Sequence, residues 1–142
     1  MPCLGSPGSR SLPSVSELDV VKRIYAAMAA RDISSLFELL DPQCVITQDA
    51  RLPWGGRFVG HEGFAAFGAA LTGAISSTVT TNALFEADGD IIQYGRTRGT
   101  TVSGAQEFDV PEVHRWTVRD GRAIAAHFSI DTTAMLEALE GA

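Results

Sequence analysis

The stretch Phe108-Asp-Val-Pro-Glu-Val-His-Arg-Trp-Thr-Val-Arg-Asp-Gly-Arg122 decides how this chain folds. Its apolar and polar residues alternate, which predicts a strand, and the Asp-Gly pair near its end predicts a tight turn. Successive side chains of a strand point to opposite faces, so Glu112, His114 and Trp116 share one face. A carboxyl group and an imidazole on one face can exchange protons near neutral pH if they are withdrawn from water.

The face that carries Glu112 is expected to point inward. If it were exposed, Val113, Arg115 and Thr117 would form the buried face, and an arginine is poorly suited to that position. The alternative is a polar sheet edge at which an arginine satisfies the glutamate, since structural ion pairs also perturb carboxyl groups.

The preceding predicted strand, from Ile91 to Val102, carries two arginines whose side chains point to the same side of the strand. One side of it holds Ile92, Tyr94, Arg96 and Arg98, and the other holds Gln93, Gly95 and Thr97. We expect the arginine side to lie inward, where Glu112 or an anionic ligand would neutralise Arg96 or Arg98. Arg98 could alternatively reach solvent at the rim.

Helices precede most of the strands. Apolar spacing predicts a helix after Ser16, a second over Ile33–Leu40 and a third from His61, and Asp131 is a natural N-cap for a last helix, Thr132–Glu140. Strands are predicted at 44–49, 79–85, 91–102, 107–118 and 123–130, with Asp-Gly turns that indicate a meander. The fold class is therefore α+β.

Composition limits the classes of function. The 142 residues are 45% hydrophobic, which fits one domain, expected over residues 15–142, after a disordered or extended tail rich in Gly, Ser and Pro at 1–14. The formal net charge of −6 argues against nucleic acid as a partner. No apolar run is long enough to span a membrane and no leader is apparent, so we expect a cytoplasmic protein.

The sequence offers no pattern for a metal or a cofactor. Cys3 and Cys44 lack metal-ligand spacing, and the three histidines at 61, 114 and 127 are far apart. His61 is expected to cap its helix or lie at the surface, and His127 to point to the outer face of the last strand. We therefore predict neither a bound metal nor a cofactor.

The element order and the ending Val113-His-Arg-Trp-Thr-Val-Arg-Asp-Gly-Arg122 to Asp131 resemble the SnoaL-like and ketosteroid-isomerase-like branch of the nuclear-transport-factor-2-like superfamily. The resemblance covers about residues 16 to 140. It implies a cone, in which a strongly curved antiparallel sheet wraps the N-terminal helices and encloses one pocket, and a homodimer formed through the outer face of the sheet. The same cone serves isomerases, polyketide cyclases, other enzymes and binding modules.

The resemblance assigns family site residues to three positions of this sequence. Glu112 falls on the protonated aspartate that donates to the oxyanion in ketosteroid isomerases. His114 falls on a pocket histidine of the cyclases, and Arg96, within Tyr94-Gly-Arg-Thr-Arg-Gly99, on their pocket-facing arginine. The cyclase base, an aspartate on the last strand, corresponds here to Phe128.

The isomerase base and tyrosine have approximate counterparts. The base should lie at the end of the first strand, where Thr47, Gln48 and Asp49 stand and only Asp49 could accept a proton. Tyr25 on the first helix approximates the isomerase tyrosine, and its hydroxyl could donate to a carbonyl, although Tyr25 could also belong to the core.

We therefore predict a cofactor-independent isomerase or cyclase that transfers a proton next to the carbonyl of a small apolar molecule. Asp49 or His114 would move the proton, while Glu112 and Arg96 would stabilise the enolate. The substrate-binding residues would be Trp54, Tyr25, Tyr94, Trp116 and Phe128. The alternatives are a non-catalytic module that binds an apolar carboxylic acid through Arg96, and a cone used for dimerisation alone.

Overall fold

The computed structural model describes residues 16–141. The predicted tail at residues 1–14 lies outside the described residues. The elements follow in the order α1 (Glu17–Ala30), α2 (Ile33–Leu39), β1 (Leu40–Gln48), β2 (Gly56–Val59), α3 (Gly60–Ala74), β3 (Ile75–Ala87), β4 (Asp90–Thr101), β5 (Glu107–Arg119), β6 (Arg122–Ile130) and α4 (Thr132–Glu140). No helix in this part of the chain is long and apolar enough to cross a bilayer.

Side-chain caps start the first and last helices, and the predicted cap Asp131 is confirmed, whereas His61 does not cap α3 but donates to the carbonyl of Leu40 at 2.9 Å. Ser16 accepts a hydrogen bond from the backbone N–H of Asp19 at 3.1 Å and starts α1. Asp131 accepts from Ala134 at 3.0 Å and starts α4. These bonds satisfy donors that the first turn of a helix leaves free. The second helix ends one residue earlier than predicted, because Leu40 already begins β1.

One six-stranded sheet holds the structure together, in the order β2-β1-β6-β5-β4-β3. Strands β3 to β6 form the predicted antiparallel meander, and β1 joins it by parallel pairing with β6. The short strand β2 lies where a loop was expected, and it pairs antiparallel with β1. The predicted α+β class, with N-terminal helices and a curved sheet, is confirmed. The sheet is unclosed, and its β1–β6 pair is parallel rather than antiparallel as expected.

The predicted orientation of β5 is confirmed. Burial alternates along the strand, and the inner row is Phe108, Val110, Glu112, His114, Trp116 and Val118. The outer row includes Val113, which is 42% exposed, and Arg115. The helices cover the inner face, so the only way for a polar side chain there to avoid a large desolvation cost is to find a partner within the protein.

The predicted orientation of β4 is wrong. In the register with β5, Gln93 lies opposite His114, Gly95 opposite Glu112, and Thr97 opposite Val110. Residues directly opposite one another on antiparallel strands share a face, so the row of Gln93, Gly95 and Thr97 points inward. The arginines Arg96 and Arg98 and the aromatic Tyr94 therefore lie on the outer face, where Arg96 donates to Oδ1 of Asp109 at 2.6 Å.

Candidate active site

A buried chain of polar side chains links α1 to β5. The hydroxyl oxygen of Tyr25 lies 2.6 Å from Nδ1 of His114. It also accepts a hydrogen bond from Nε1 of Trp116 at 2.9 Å. On the other side of the imidazole, Nε2 of His114 is 3.5 Å from Oε2 of Glu112. Tyr25 and His114 are hydrogen-bonded, whereas His114 and Glu112 are in contact at a distance longer than a hydrogen bond. Neighbouring members of this group can donate to and accept from one another, and we call Tyr25, His114 and Glu112 the relay.

The sheet register determines which residues surround these linked polar side chains. Gln48 on β1 is paired with Phe128 on β6, Phe128 with His114 on β5, and His114 with Gln93 on β4. These four residues form one row across the inner face, and all four are buried. The ring of Phe128 lies 4.5 Å from that of His114 between ring centroids, so an apolar wall covers one side of the imidazole.

Glu112 is buried without a cationic partner. Thr97 donates a hydrogen bond to its Oε1, but Oε2 has no hydrogen-bond partner among residues 16–141. Burial raises the pKa of Glu112 above its ordinary value, and hydrogen bonds from Thr97 and Gln93 offset part of that rise. A carboxyl group in this environment can hold its proton at a pH at which an exposed glutamate is ionised.

The two other members of the chain are held in their neutral forms. Burial lowers the pKa of His114 to about 3, so its imidazole stays uncharged near neutral pH. Burial also raises the pKa of Tyr25, an effect that the hydrogen bond from Trp116 partly opposes. A relay of neutral donors and acceptors is therefore built around one carboxyl group, Glu112, that can gain or lose a proton.

A cavity of about 530 Å³ lies beside this group of polar side chains, and Tyr25 is part of its wall. Helix α1, the end of α3 and strand β3 enclose it, and its lining includes Tyr25, Leu71, Val79 and Thr81. Thr81 accepts a hydrogen bond from Gln93 at 3.1 Å. Glu112 and His114 are not among the lining residues, so Tyr25 is the member of the relay that belongs to the cavity wall.

The family model of the SnoaL-like domain matches residues 21–127, which is most of the chain. This protein belongs to the SnoaL-like domain family. Among curated proteins, no sequence match was found. The family membership confirms the resemblance seen in the sequence.

Solved structures with this SnoaL-like cone have low sequence identity to the chain. An NTF2-like protein of unknown function from Burkholderia pseudomallei is 24% identical with a TM-score of 0.80, covering 87% of this chain and 96% of that one. TerC, co-crystallised with polyporic acid, is 23% identical with a TM-score of 0.79, covering 87% and 98%. At this identity the likeness carries the fold alone.

A third neighbour extends the same comparison. It is a hypothetical protein with a ketosteroid isomerase-like fold from Catenulispora acidiphila, in complex with trimethylamine. It is 16% identical, with a TM-score of 0.73, and the match covers 88% of this chain and 95% of that one. The cone is thus shared by proteins whose names imply different ligands.

Two of the four residues predicted to be catalytic in this SnoaL-like chain lie outside the relay. Asp49 follows β1 and forms an ion pair with Arg51 at 2.6 Å, and the hydrogen bonds from Arg51 lower the pKa of Asp49 to about 2. The residue at the end of β1 that points inward is Gln48, which is 7% exposed. Arg96, on the outer face, is paired with Asp109.

Only some of the residues predicted to bind substrate lie at the relay. Phe128 and Trp116 pack against it, and Tyr25 belongs both to the relay and to the cavity wall. Trp54 is 1% exposed and belongs to the hydrophobic core. Tyr94 is 45% exposed on the outer face, so the expectation that it lies inward is wrong.

The sequence interpretation missed three inner-face residues, Gln48, Gln93 and Thr97. Burial on β1 alternates through Cys44, Ile46 and Gln48, a pattern that the apolar residues of that strand could have indicated. Gln93 and Thr97 follow from the pairing of β4 with β5. No group of three or more histidine, cysteine, aspartate or glutamate side chains suited to a metal ion occurs within residues 16–141.

Proposed function

We propose that this protein is a cofactor-independent isomerase or cyclase that transfers a proton next to the carbonyl of a small apolar molecule. The observation that carries the proposal is the relay Tyr25–His114–Glu112, which starts in the cavity wall and ends at a buried carboxyl group with a raised pKa. Perturbed titratable groups beside a cavity are typical of acid–base catalysis.

In the base form of the relay, Glu112 is ionised. The hydroxyl of Tyr25 donates to Nδ1 of His114, and the hydrogen of His114 is on Nε2, 3.5 Å from Oε2 of Glu112, a distance that has to shorten for the proton to pass. When the substrate gives a proton to the oxygen of Tyr25, the phenol proton moves to Nδ1 and the Nε2 proton moves to Glu112. The relay has then gained one proton, and His114 remains neutral.

In the acid form, Glu112 holds that proton and directs it to Nε2 of His114. The Nδ1–H of His114 and the Nε1–H of Trp116 both donate to the oxygen of Tyr25. The hydroxyl hydrogen of Tyr25 is then free to donate to an oxygen of the substrate and to stabilise an enolate. Return of the proton to a different substrate atom completes an isomerisation or assists a ring closure.

The surroundings suit this chemistry. Phe128 covers the imidazole with apolar surface and Trp116 packs against Phe128, which strengthens hydrogen bonds to developing charge by excluding water. TerC was co-crystallised with polyporic acid and the Catenulispora protein was solved with trimethylamine, so proteins with this cone hold small organic molecules. These comparisons support a small-molecule ligand for this chain.

Deuterium exchange at the acidic carbon beside the carbonyl of 2-tetralone tests the proposal without knowledge of the natural substrate. The folded protein is expected to accelerate the loss of the α-proton signal in deuterium oxide, followed by proton NMR. Glu112→Gln and His114→Ala should each slow the catalysed exchange by about 10²- to 10⁴-fold, the usual contribution of an acid–base group. Full activity in both variants would refute the site.

A non-catalytic binding module is the second candidate. The observation that favours it is the lack of an inward carboxylate at two places: the buried residue at the end of β1 is Gln48, and Phe128 falls on the cyclase base. Binding of 2-naphthols with graded acidity separates the two candidates. Affinity that rises with phenol acidity in the wild type, and does so less in Tyr25→Phe, supports an oxyanion site. Affinity independent of acidity supports a passive pocket.

We also propose that two copies pair through the outer face of the sheet. Tyr94 and Val113 lie directly opposite each other on β4 and β5, and both are large apolar side chains more than 40% exposed. Phe85 on β3 adds a third, at 47%. Exposed apolar surface of this kind is typical of an interface, and light scattering of Val113→Lys against the wild type tests it.

A further inference from the structure

The cavity has one charged side chain in its wall, and that side chain is positive. Arg31 lines the cavity, whereas its other lining residues are apolar or carry hydroxyl groups. No aspartate or glutamate is among them. The cation therefore stands out in a chain whose formal net charge is −6.

The backbone at Arg31 has a conformation that favours glycine. Arg31 ends α1 with φ 58° and ψ 34°, in the left-handed region, where helices usually place glycine or asparagine. The bonds that close the helix come from the backbone, since the N–H of Arg31 donates to Met28 and that of Asp32 donates to Ala27. The helix end does not use the guanidinium for these bonds, so the side chain of this residue at a strained backbone position is left for another contact.

The charge of Arg31 is available to a ligand. None of the ion pairs within residues 16–141 includes Arg31. The adjacent carboxylate of Asp32 accepts from the backbone N–H of Ser35 at 3.2 Å and from its hydroxyl at 2.6 Å, and so caps α2. The nearest acid along the chain is thereby occupied with a structural bond.

We propose that the ligand of this cavity carries a carboxylate, which Arg31 binds, on an apolar body that packs against Met28, Leu71 and Val79. The fork of donors on a guanidinium matches a carboxylate in geometry. The reacting carbonyl would then lie toward Tyr25. That last placement rests on the proposed function, whereas the contact with Arg31 does not. The anionic anchor predicted at Arg96 is thus moved to the other face of the sheet.

A purely structural role makes a different prediction. A cation at the C-terminus of a helix interacts favourably with the helix dipole, and on that account Arg31 would affect stability alone. Arg31→Gly separates the two roles, because glycine relieves the left-handed strain while it removes the charge. The melting temperature of Arg31→Gly should stay the same or rise, whereas ligand preference should be lost.

The probes are 6-phenylhexanoate and its uncharged amide, compared by calorimetric titration of the full chain at low ionic strength. The wild type should bind the carboxylate about fivefold more tightly than the amide, the size of an exposed ion pair, and added salt should reduce the ratio. Arg31→Gly and Arg31→Gln should bring the ratio to one, and Arg31→Lys should retain part of it. Arg23→Gln, on the same helix but outside this cavity, should leave it unchanged.

An unchanged ratio in Arg31→Gly, equal binding of both probes by the wild type, or binding of neither probe would overturn this inference. The proposed function is measured separately, by deuterium exchange of uncharged 2-tetralone. A protein that prefers the carboxylate through Arg31 but does not exchange 2-tetralone keeps this inference and refutes the enzyme. The converse result keeps the enzyme and refutes the anchor.

Discussion

The two faces of the β4–β5 pair differ in how their ionisable side chains are compensated. On the outer face, Arg96 is paired with Asp109 at 2.6 Å, and the side chains are 39% and 47% exposed. On the inner face, the side chain of Glu112 is 0% exposed and its nearest titratable partner is the neutral imidazole of His114. One face compensates charges with opposite charges and water, and the other buries a single acid among neutral groups.

Neighbouring residues on a strand point to opposite faces, so a shift of one position decides whether a charged side chain lies in water or in the buried site. A hydrated ion pair keeps both partners charged over the whole working pH range and contributes about 0–1 kcal/mol to stability. A buried acid without a cation shifts its pKa instead, because ionisation would leave an uncompensated charge in a poorly polarisable environment. On the β4–β5 pair, the acid whose pKa is raised by burial therefore lies on the inner face.

The largest expected effect is on the rate of 2-tetralone exchange, and it tests whether Glu112 and His114 act together. The double variant Glu112→Gln/His114→Ala should exchange 2-tetralone no more slowly than either single variant, since removal of one member already breaks the relay. The outer double variant Arg96→Gln/Asp109→Asn should keep the wild-type rate within about twofold. Multiplicative losses at the inner pair, or a large loss at the outer pair, would contradict the relay.

The next effect is on stability at the phenol. Tyr25→Phe leaves Nδ1 of His114 and Nε1 of Trp116 without their shared partner, and each unpaired buried group costs about 1–3 kcal/mol. Urea unfolding should show a combined loss of about 2–6 kcal/mol. Tyr94→Phe removes only the hydroxyl of an outer-face ring and keeps the apolar surface proposed for the dimer contact, so it should change the free energy of unfolding by less than about 0.5 kcal/mol. Equal losses in the two variants would remove the distinction between the faces.

A smaller effect appears in the pH dependence of stability. The pKa of Glu112 is raised in the folded state, so its favourable contribution is complete below the unfolded value of about 4.3 and is lost as pH rises through the folded value. The difference in unfolding free energy between the wild type and Glu112→Gln should therefore move against the wild type as pH rises. A flat difference would mean that burial does not perturb this carboxyl group.

Asp90 on the outer side provides the matched control with the opposite sign. Burial raises the pKa of Asp90, but the bonds from Arg115 and Thr117 outweigh it and the net pKa is lowered. The contribution of Asp90 is therefore present above the unfolded value of about 3.9 and is lost as pH falls through the folded value. Asp90→Asn should thus reduce the loss of stability on the acid side.

The smallest effect is expected at the outer ion pair itself. Arg96→Gln should lower the free energy of unfolding by no more than about 1 kcal/mol, and the difference should shrink as salt is added. A loss of several kcal/mol would mean that Arg96 is desolvated, as the sequence interpretation expected. Thermal unfolding at two salt concentrations measures it.

The sequence predicted β5 correctly and β4 incorrectly for one physical reason. On β5, Arg115 alternates with Trp116, so only one face suits a core. On β4, arginines alternate with glutamine, glycine and threonine, and no apolar contrast fixes the direction. Asp109 held the missing signal, because it lies on the outer row of β5 opposite Arg98 and binds Arg96.

Other parts of the site depend on tertiary contacts that no local pattern encodes. Tyr25 and His114 are far apart in sequence, and their hydrogen bond exists because α1 packs against the inner face. The same packing determines that Arg31, at the end of α1, reaches the cavity. Most strands and the inward position of Glu112 could be read from periodicity, and the Asp131 cap from its residue type, but strand β2 and the partners of Glu112 could not.

The nitrogen-15 chemical shifts of His114, followed by NMR as a function of pH, test the relay most directly and need no substrate. The relay predicts that His114 stays neutral while its proton moves from Nδ1 to Nε2 as Glu112 ionises, at a pH above the ordinary glutamate value of about 4.3. Glu112→Gln should abolish this change of tautomer. Formation of an imidazolium with a midpoint near the ordinary histidine value of about 6.5, or a single tautomer at every pH, would contradict the account.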